Sequence, residues 1–397
     1  MWIHRWGQVN FTLSNCLHSQ LRQICVLPQH ESTSLERHLH SGWLHLWAEM
    51  GGGLTVMPPA QLDERNGYSG TADAVYQNIS LLTQKASKAA LVLASDHLYK
   101  MDYRPLLSFH TANAADLTIV CTEVALDQAR RFGVIEAAPG HRVVGFHEKP
   151  AVLQRLKHRE DRALVSMGIY VFDPRVLKRV LDEDSLVPDS QHDFGRDIIP
   201  RLLAQSDNVY AYDAAEQQLP EEFYWRDIGV IDTYWEASME LLEENSAFDL
   251  YDLNWPVYGY QPISPPARVF EQESPGSGLD RSLLCPGVTV SGARVDRSIL
   301  SPGVTIERGA EVVESVILGD VHVGEGARIH KAIVGEGVRV PPGYSIGINP
   351  ENDGRRFHVS PGGVVVVADI TSAKHLERNV DHYALEMAPM GWSPADG

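Results

Sequence analysis

The last third of the chain repeats, and the period of the repeat rules out most folds for that part. Leu283, Leu300, Ile317 and Val334 stand 17 residues apart, and so do Gly292, Gly309, Gly326 and Gly343. Inside each unit the apolar positions step by six: Leu300, Ile306, Val312, then Ile317, Val323, Ile329, then Val334, Val340, Ile346. Three steps close a unit. The pattern predicts a parallel β-helix of triangular section, in which each coil stacks one apolar residue per side on the coil below and glycine turns a corner at positive φ. An antiparallel sandwich has no reason to hold one glycine register over four units.

Ahead of the repeats the text alternates between helix and strand. Residues 10–57 read as a helix, a strand at 23–27, a helix over 35–50 and a strand near 54–57. Strand-like runs follow at 89–94, 116–122 and 163–172, the signature of βα units on a mainly parallel sheet. Between them, 134–136 and 143–146 flank a Pro-Gly turn and predict a hairpin. Residues 254–278 hold five prolines, so a domain boundary is expected there. The expected division is residues 1–253, a linker at 254–280, the β-helix at 281–368, and a tail at 369–397 with an amphipathic stretch around 375–387.

Two segments carry the candidate chemistry. Leu91, Val92, Leu93 and Ala94 form a continuous apolar run, the mark of a strand buried on both faces, and Asp96 falls just beyond its carboxyl end, where open α/β sheets bind ligands. Upstream, Ala72, Val75, Ile79 and Leu82 recur at helical spacing behind Thr71, which predicts a helix capped by Thr71 whose amino terminus faces the same crevice. Taken singly, either residue is equally well a structural cap.

Composition removes several classes. A net charge of −18 argues against broad nucleic-acid contact, which needs a basic footprint. Cys16, Cys25, Cys121 and Cys285 have no paired spacing, so neither a zinc site nor a disulfide framework is expected, and reduced thiols point to a cytoplasmic protein. No run approaches the ~20 apolar residues of a membrane helix.

Read together, YSGTADAVYQN at Tyr68 and SDHLYKMDY at Ser95 resemble the nucleotide-sugar pyrophosphorylases, with wording closest to the glucose-1-phosphate adenylyltransferase (ADP-glucose pyrophosphorylase) family. The likeness continues through FTLSNCLHS at Phe11, FGVIE at Phe132, FHEKP at Phe146, SMGIYVF at Ser166, HDFGRDIIP at His192, YWRDIGVIDTYWEA at Tyr224 and LYDLNWPV at Leu250. The resemblance implies an α/β fold: a Rossmann-like nucleotidyltransferase domain, then a left-handed parallel β-helix. It implies adenylyl transfer from ATP to glucose 1-phosphate, giving ADP-glucose and diphosphate for glycogen or starch synthesis, with Mg2+ held by Asp96 and Asp227. Lys149 matches the family's sugar-phosphate lysine, with Glu148 beside it as an acceptor for sugar hydroxyls. Tyr68, Gly70, Thr71, Gly133 and Ser166 match further substrate-contact positions, and Arg355 and Arg356 resemble the effector region of a family that is typically tetrameric. Hexapeptide-repeat acyltransferases also use a β-helix, but His322 and His330 are expected on a solvated face.

The chain also departs from the family pattern. The family opens with a strand and a GGxGTRL phosphate loop that do not occur here, and Asn10, Ser69 and Ser95 replace the usual Asp, Arg and Gly. Impaired turnover is therefore expected, and so is the rival role of a noncatalytic regulatory subunit, alone or in a hetero-oligomer with a full-length relative; a pyrophosphorylase for another nucleotide sugar is the third reading. In the family the absent strand lies between those at 23–27 and 89–94. Either residues 1–9 replace it or the sheet keeps open edges and the chain is marginally stable.

Overall fold

The computed structural model describes residues 7–29, 32–59, 67–83, 87–151, 161–217, 223–260, 263–270, 277–368 and 370. Helix α1 (Gly7–His18) is buried along most of its length. Its Asn15 side chain ties it to the sheet, donating to Tyr99 O at 3.1 Å and accepting from Met101 N at 3.2 Å. Strand β1 (Gln23–Val26), helices α2 (Ser32–Gly42) and α3 (Leu44–Glu49) and strand β2 (Gly53–Val56) form a βαβ unit, with β1 and β2 parallel. The single helix expected over 35–50 is two helices, because Trp43 leaves helical geometry at φ −125°. Its ring goes instead into the core against Trp47, 5.4 Å away.

Next come α4 (Thr71–Gln77), α5 (Ile79–Thr83), β3 (Ala90–Leu93), β4 (His97–Tyr99), α6 (Tyr103–Ala112), β5 (Leu117–Ala125), β6 (Gly133–Ala137), β7 (Val143–Glu148) and β8 (Arg162–Phe172). After these come α7 (Pro174–Asp184), α8 (Ile199–Ala204), β9 (Val209–Asp213), α9 (Ala214–Gln217), β10 (Trp225–Asp227) and α10 (Ile231–Glu240). Strands β6 and β7 form the expected antiparallel hairpin. Strands β3, β5 and β9 run one way, as βα alternation predicts, but β8 enters reversed between β3 and β5, so the sheet is mixed. A long apolar strand such as β8 reads the same in either direction, which is why its sequence does not reveal the reversal.

Strands β1 and β2 stand as a separate pair. Among the described residues, neither β1 nor β3 has a strand on its second edge. Both nevertheless feed one apolar cluster, where Ile24, Val26, Leu91 and Leu93 surround Leu54, Met101 and Tyr103. Residues 7–9 belong to α1 and form no replacement strand; residues 1–6 lie outside the described part.

The repeats fold as their spacing predicts. Strands β11 (Arg268–Phe270), β12 (Gly278–Asp280) and β13 (Leu283–Leu284) make the first coil, which pairs in parallel with β14 (Thr289–Ser291), β15 (Arg294–Asp296) and β16 (Ile299–Leu300). Later coils stack on these in three sheets. All nine residues of the six-residue step from Leu300 to Ile346 are buried, and Gly292, Gly309, Gly326 and Gly343 lie at φ +56° to +68°. One detail differs: Leu284, not Leu283, stacks on Leu300, because the step between these two coils is 16 residues, one shorter than the 17-residue period. At one corner a serine ladder satisfies the turned backbone. Ser298 Oγ accepts from Ser315 N and Ser315 Oγ from Ala332 N, each at 3.1 Å.

Within 254–280 the described residues are held in place. Residues 254–260 are pinned to α1 by Trp255 Nε1 on Asn15 Oδ1 and Tyr258 N on Ser14 Oγ, and the β-helix already starts at Arg268. The two parts share an apolar core around Met239, Ile299, Val316 and Ile333, closed by Trp235 Nε1 donating to Glu314 O at 2.8 Å. The amphipathic stretch at 375–387 lies outside the described residues.

Candidate active site

From the carboxyl end of β3 the chain passes through Asp96 into β4, which pairs antiparallel with β10 in the register His97 to Asp227. Asp227 therefore stands across the ladder from the residue next to Asp96. Two aromatic contacts link this pair to the sugar-phosphate segment, since Trp225 packs on His97 and on Phe132, each at 5.2 Å between ring centres. Phe132 O in turn accepts from Lys149 N at 3.1 Å. Lys149 adopts φ +43°, a strained turn that a non-glycine residue holds only where its surroundings enforce it.

A bulge brings Ser166 to the same end of the sheet. Ile169 faces Val120 while Ser166 faces Cys121, so Met167 and Gly168 are extra residues in β8. Gly168 sits at φ +67°, and its carbonyl accepts from Ala94 N at 2.9 Å at the end of β3. Ser166 Oγ accepts from Gly168 N at 3.2 Å and donates to the Tyr170 hydroxyl at 3.3 Å.

Glu148 lies opposite Gly133 in the hairpin. A Cβ at Gly133 would come within 2.9 Å of Glu148 Oε2, and one at Gly195 within 2.5 Å, so both glycines make room for this carboxylate. Burial raises the pKa of Glu148 above the usual 4.5, with Asp193 adding to the rise. A raised carboxyl favours folding only while it is protonated, so ionised Glu148 costs stability above the unfolded pKa of 4.5. Glu148→Gln should therefore raise the melting temperature at pH 7 and change it little near pH 4, while weakening sugar binding; an equal shift at both pH values in thermal scans would contradict this.

The segment at 67–71 differs from expectation. Thr71 does not cap α4; Gly70 is the cap residue, and the first free amides, Ala72 N and Asp73 N, both donate to His192 O. The HDFG loop thus takes two amides of that helix end through one carbonyl. Thr71 Oγ1 instead donates to Asp193 Oδ2 at 2.9 Å and accepts from Phe194 N at 3.1 Å. A Cβ at Gly70 would collide with the carbonyls of Gln191 and His192. Tyr68 is buried, with its hydroxyl donating to Met57 O at 2.8 Å. Gly70 and Thr71 brace the loop at 191–195, which continues into a π turn (Phe194–Ile198), whereas Tyr68 is tied to Met57 and Gln29. A cavity of about 170 Å³ beside them is lined by Ser69, Asp73, Asp184 and His192 and by none of Asp96, Lys149 or Asp227.

Arg355 and Arg356 follow a short helix (Pro350–Gly354) on the β-helix. Arg355 pairs with Glu351 at 2.6 Å, and Arg356 lies over the rings of Tyr344 and Phe357. His322 and His330 face Glu307 and Glu314 and are partly exposed.

Three residues of the site were not singled out by sequence: Arg131, Asp193 and Gly195. The last two lie inside the HDFGRDIIP motif, where a glycine entering a helix was the available signal. Arg131 gave none, because its partner Asp227 lies 96 residues away.

Among the described residues, no three His, Cys, Asp or Glu side chains are grouped to hold a metal. Asp96 and Asp227 each offer only oxygen ligands, the donor type that a hard divalent cation takes alongside substrate phosphates and water. No helix among the described residues is long and apolar enough to cross a membrane.

Comparison with known proteins agrees with this architecture. Residues 7–244 match the nucleotidyl transferase family and residues 265–367 the GlmU-like carboxyl-terminal hexapeptide family, whose repeats form a left-handed β-helix. A glucose-1-phosphate adenylyltransferase of Methylococcus capsulatus is 42% identical over 90% of this chain and 85% of its own length. Glucose-1-phosphate adenylyltransferase 2 of Vibrio cholerae is 41% identical over 91% and 89%. The enzyme of Albidiferax ferrireducens is 44% identical over 90% and 86%. With a nucleotidyltransferase domain, a hexapeptide β-helix and this degree of identity along nearly its whole length, the chain belongs to the glucose-1-phosphate adenylyltransferase family.

Proposed function

We propose that this chain joins glucose 1-phosphate to ATP, releasing diphosphate and forming ADP-glucose for glycogen or starch synthesis. The observation that carries this reading is the ladder pair His97 to Asp227, which holds Asp227 across from the residue next to Asp96, with the Lys149 turn tied in through Phe132. The sugar phosphate oxygen attacks the α-phosphorus in line, and no covalent intermediate is required. The protein's task is to position two anions and neutralise their charge. Asp96 and Asp227 hold Mg2+, which when bound neutralises charge on the transferring phosphoryl group. Lys149 binds the sugar phosphate as a point charge, and ionised Glu148 accepts from sugar hydroxyls between Gly133 and Gly195. Gly70 and Thr71 act by bracing the 191–195 loop against this site. The working assembly is a homotetramer, with Arg355 and Arg356 in its effector region.

A second reading is a regulatory subunit that binds the sugar phosphate without turnover. Calorimetry with glucose 1-phosphate and a diphosphate-release assay on the 397-residue chain separate the two. Binding is expected in both cases, weakened about 10- to 100-fold by Lys149→Gln, since a charged hydrogen bond contributes about 1.5–3 kcal/mol. Diphosphate release distinguishes enzyme from regulator. Absence of glucose 1-phosphate binding would reject both.

A further inference from the structure

Asp227 is not free. Its Oδ1 accepts from Gly229 N at 2.9 Å, and its Oδ2 receives the guanidinium of Arg131 at 2.6 Å. The Asp227 side chain is only 13% exposed, so this is not a solvated surface pair on the carboxylate side. Arg131 is 40% exposed and comes from the 3-10 turn (Ala129–Arg131) that leads into β6, so the guanidinium can leave without unfolding a strand. The charge of Asp227 is thus met by Arg131, from a turn outside the β4–β10 ladder.

A divalent cation bound at an Asp227 oxygen would sit beside that guanidinium, and two like charges at such range in a half-buried site repel strongly. Arginine cannot relieve this by losing its proton. Resting on the assignment of Asp96 and Asp227 to a metal, we propose that Arg131 is a built-in counter-ion that competes with the divalent cation for Asp227, so that cation binding and release of Arg131 are one event. Arg131 thereby sets how much cation the protein needs before its site is assembled.

The test is a direct Mn2+ titration of the 397-residue chain, without nucleotide, followed by the electron paramagnetic resonance signal of free Mn2+. Arg131→Gln should bind Mn2+ about three- to tenfold more tightly than the unaltered chain, the range expected for releasing a partly exposed ion pair. Arg131→Lys, which keeps the charge, should stay near the unaltered affinity. Asp227→Asn should weaken binding, and in the Arg131→Gln/Asp227→Asn double variant the gain should vanish. If Asp227→Asn weakens Mn2+ binding but Arg131→Gln binds no more tightly, the role of Arg131 is wrong. If neither Asp96→Asn nor Asp227→Asn alters Mn2+ binding, the metal assignment itself fails, and the proposal with it.

Discussion

Asp96→Asn and Asp227→Asn should each lower ADP-glucose formation by about a hundredfold or more while leaving glucose 1-phosphate affinity within a few-fold. Magnesium shared with phosphates draws on only one or two protein carboxylates, so removing one takes away much of the protein's hold on it. Charge stabilisation at a transferring group is worth several kcal/mol, and a single preorganised contact about 3 kcal/mol. The sugar phosphate, by contrast, is on the proposed reading held from the Lys149 turn, which the ladder pair does not form. Diphosphate release and calorimetry on the same preparations measure the two effects separately. A variant that lost affinity and turnover equally would mean that these carboxylates position the sugar rather than a metal.

The second large effect concerns the sheet. Strands β1 and β3 each pair on one edge only among the described residues, while their side chains meet in one cluster. A buried backbone group without a partner costs about 1–3 kcal/mol, and a domain has only about 5–15 kcal/mol in all. Each edge group of these strands that is shielded from water draws on that margin. Extending the chain at its amino end by a β-strand and a GGxGTRL loop should therefore raise the melting temperature by about 10 °C or more, at roughly 2–4 °C per kcal/mol for a domain of this size. Thermal unfolding of the two chains side by side gives the answer, and equal melting temperatures would refute the claim that these edges are costly.

The β-helix was legible because its information is local and periodic: Leu300, Ile317 and Val334 repeat with the coil, and positive φ needs glycine at Gly309 and Gly326. The one misplacement, Leu283 for Leu284, came from a coil one residue short, which a fixed period cannot register. In the first domain the strands were legible as apolar runs, but the reversal of β8 was not, since direction is set by connections and not by residue type. Thr71 looked like a cap from its neighbours alone; the carbonyl of His192, 120 residues on, takes the amides that a cap would have served. Asp96, Lys149 and Asp227 were singled out through their motifs. Their surroundings, Arg131 on Asp227 and Gly195 on Glu148, depend on contacts between segments far apart in the chain and had no local signature.

The most direct measurement is product formation itself. Carbon-13 glucose 1-phosphate, ATP and Mg2+ are incubated with the 397-residue chain, and ADP-glucose is quantified by mass spectrometry against the Asp96→Asn chain prepared in the same way. Labelled ADP-glucose should accumulate with the unaltered chain well above the Asp96→Asn background, and accumulation indistinguishable from that background would contradict adenylyl transfer by this site.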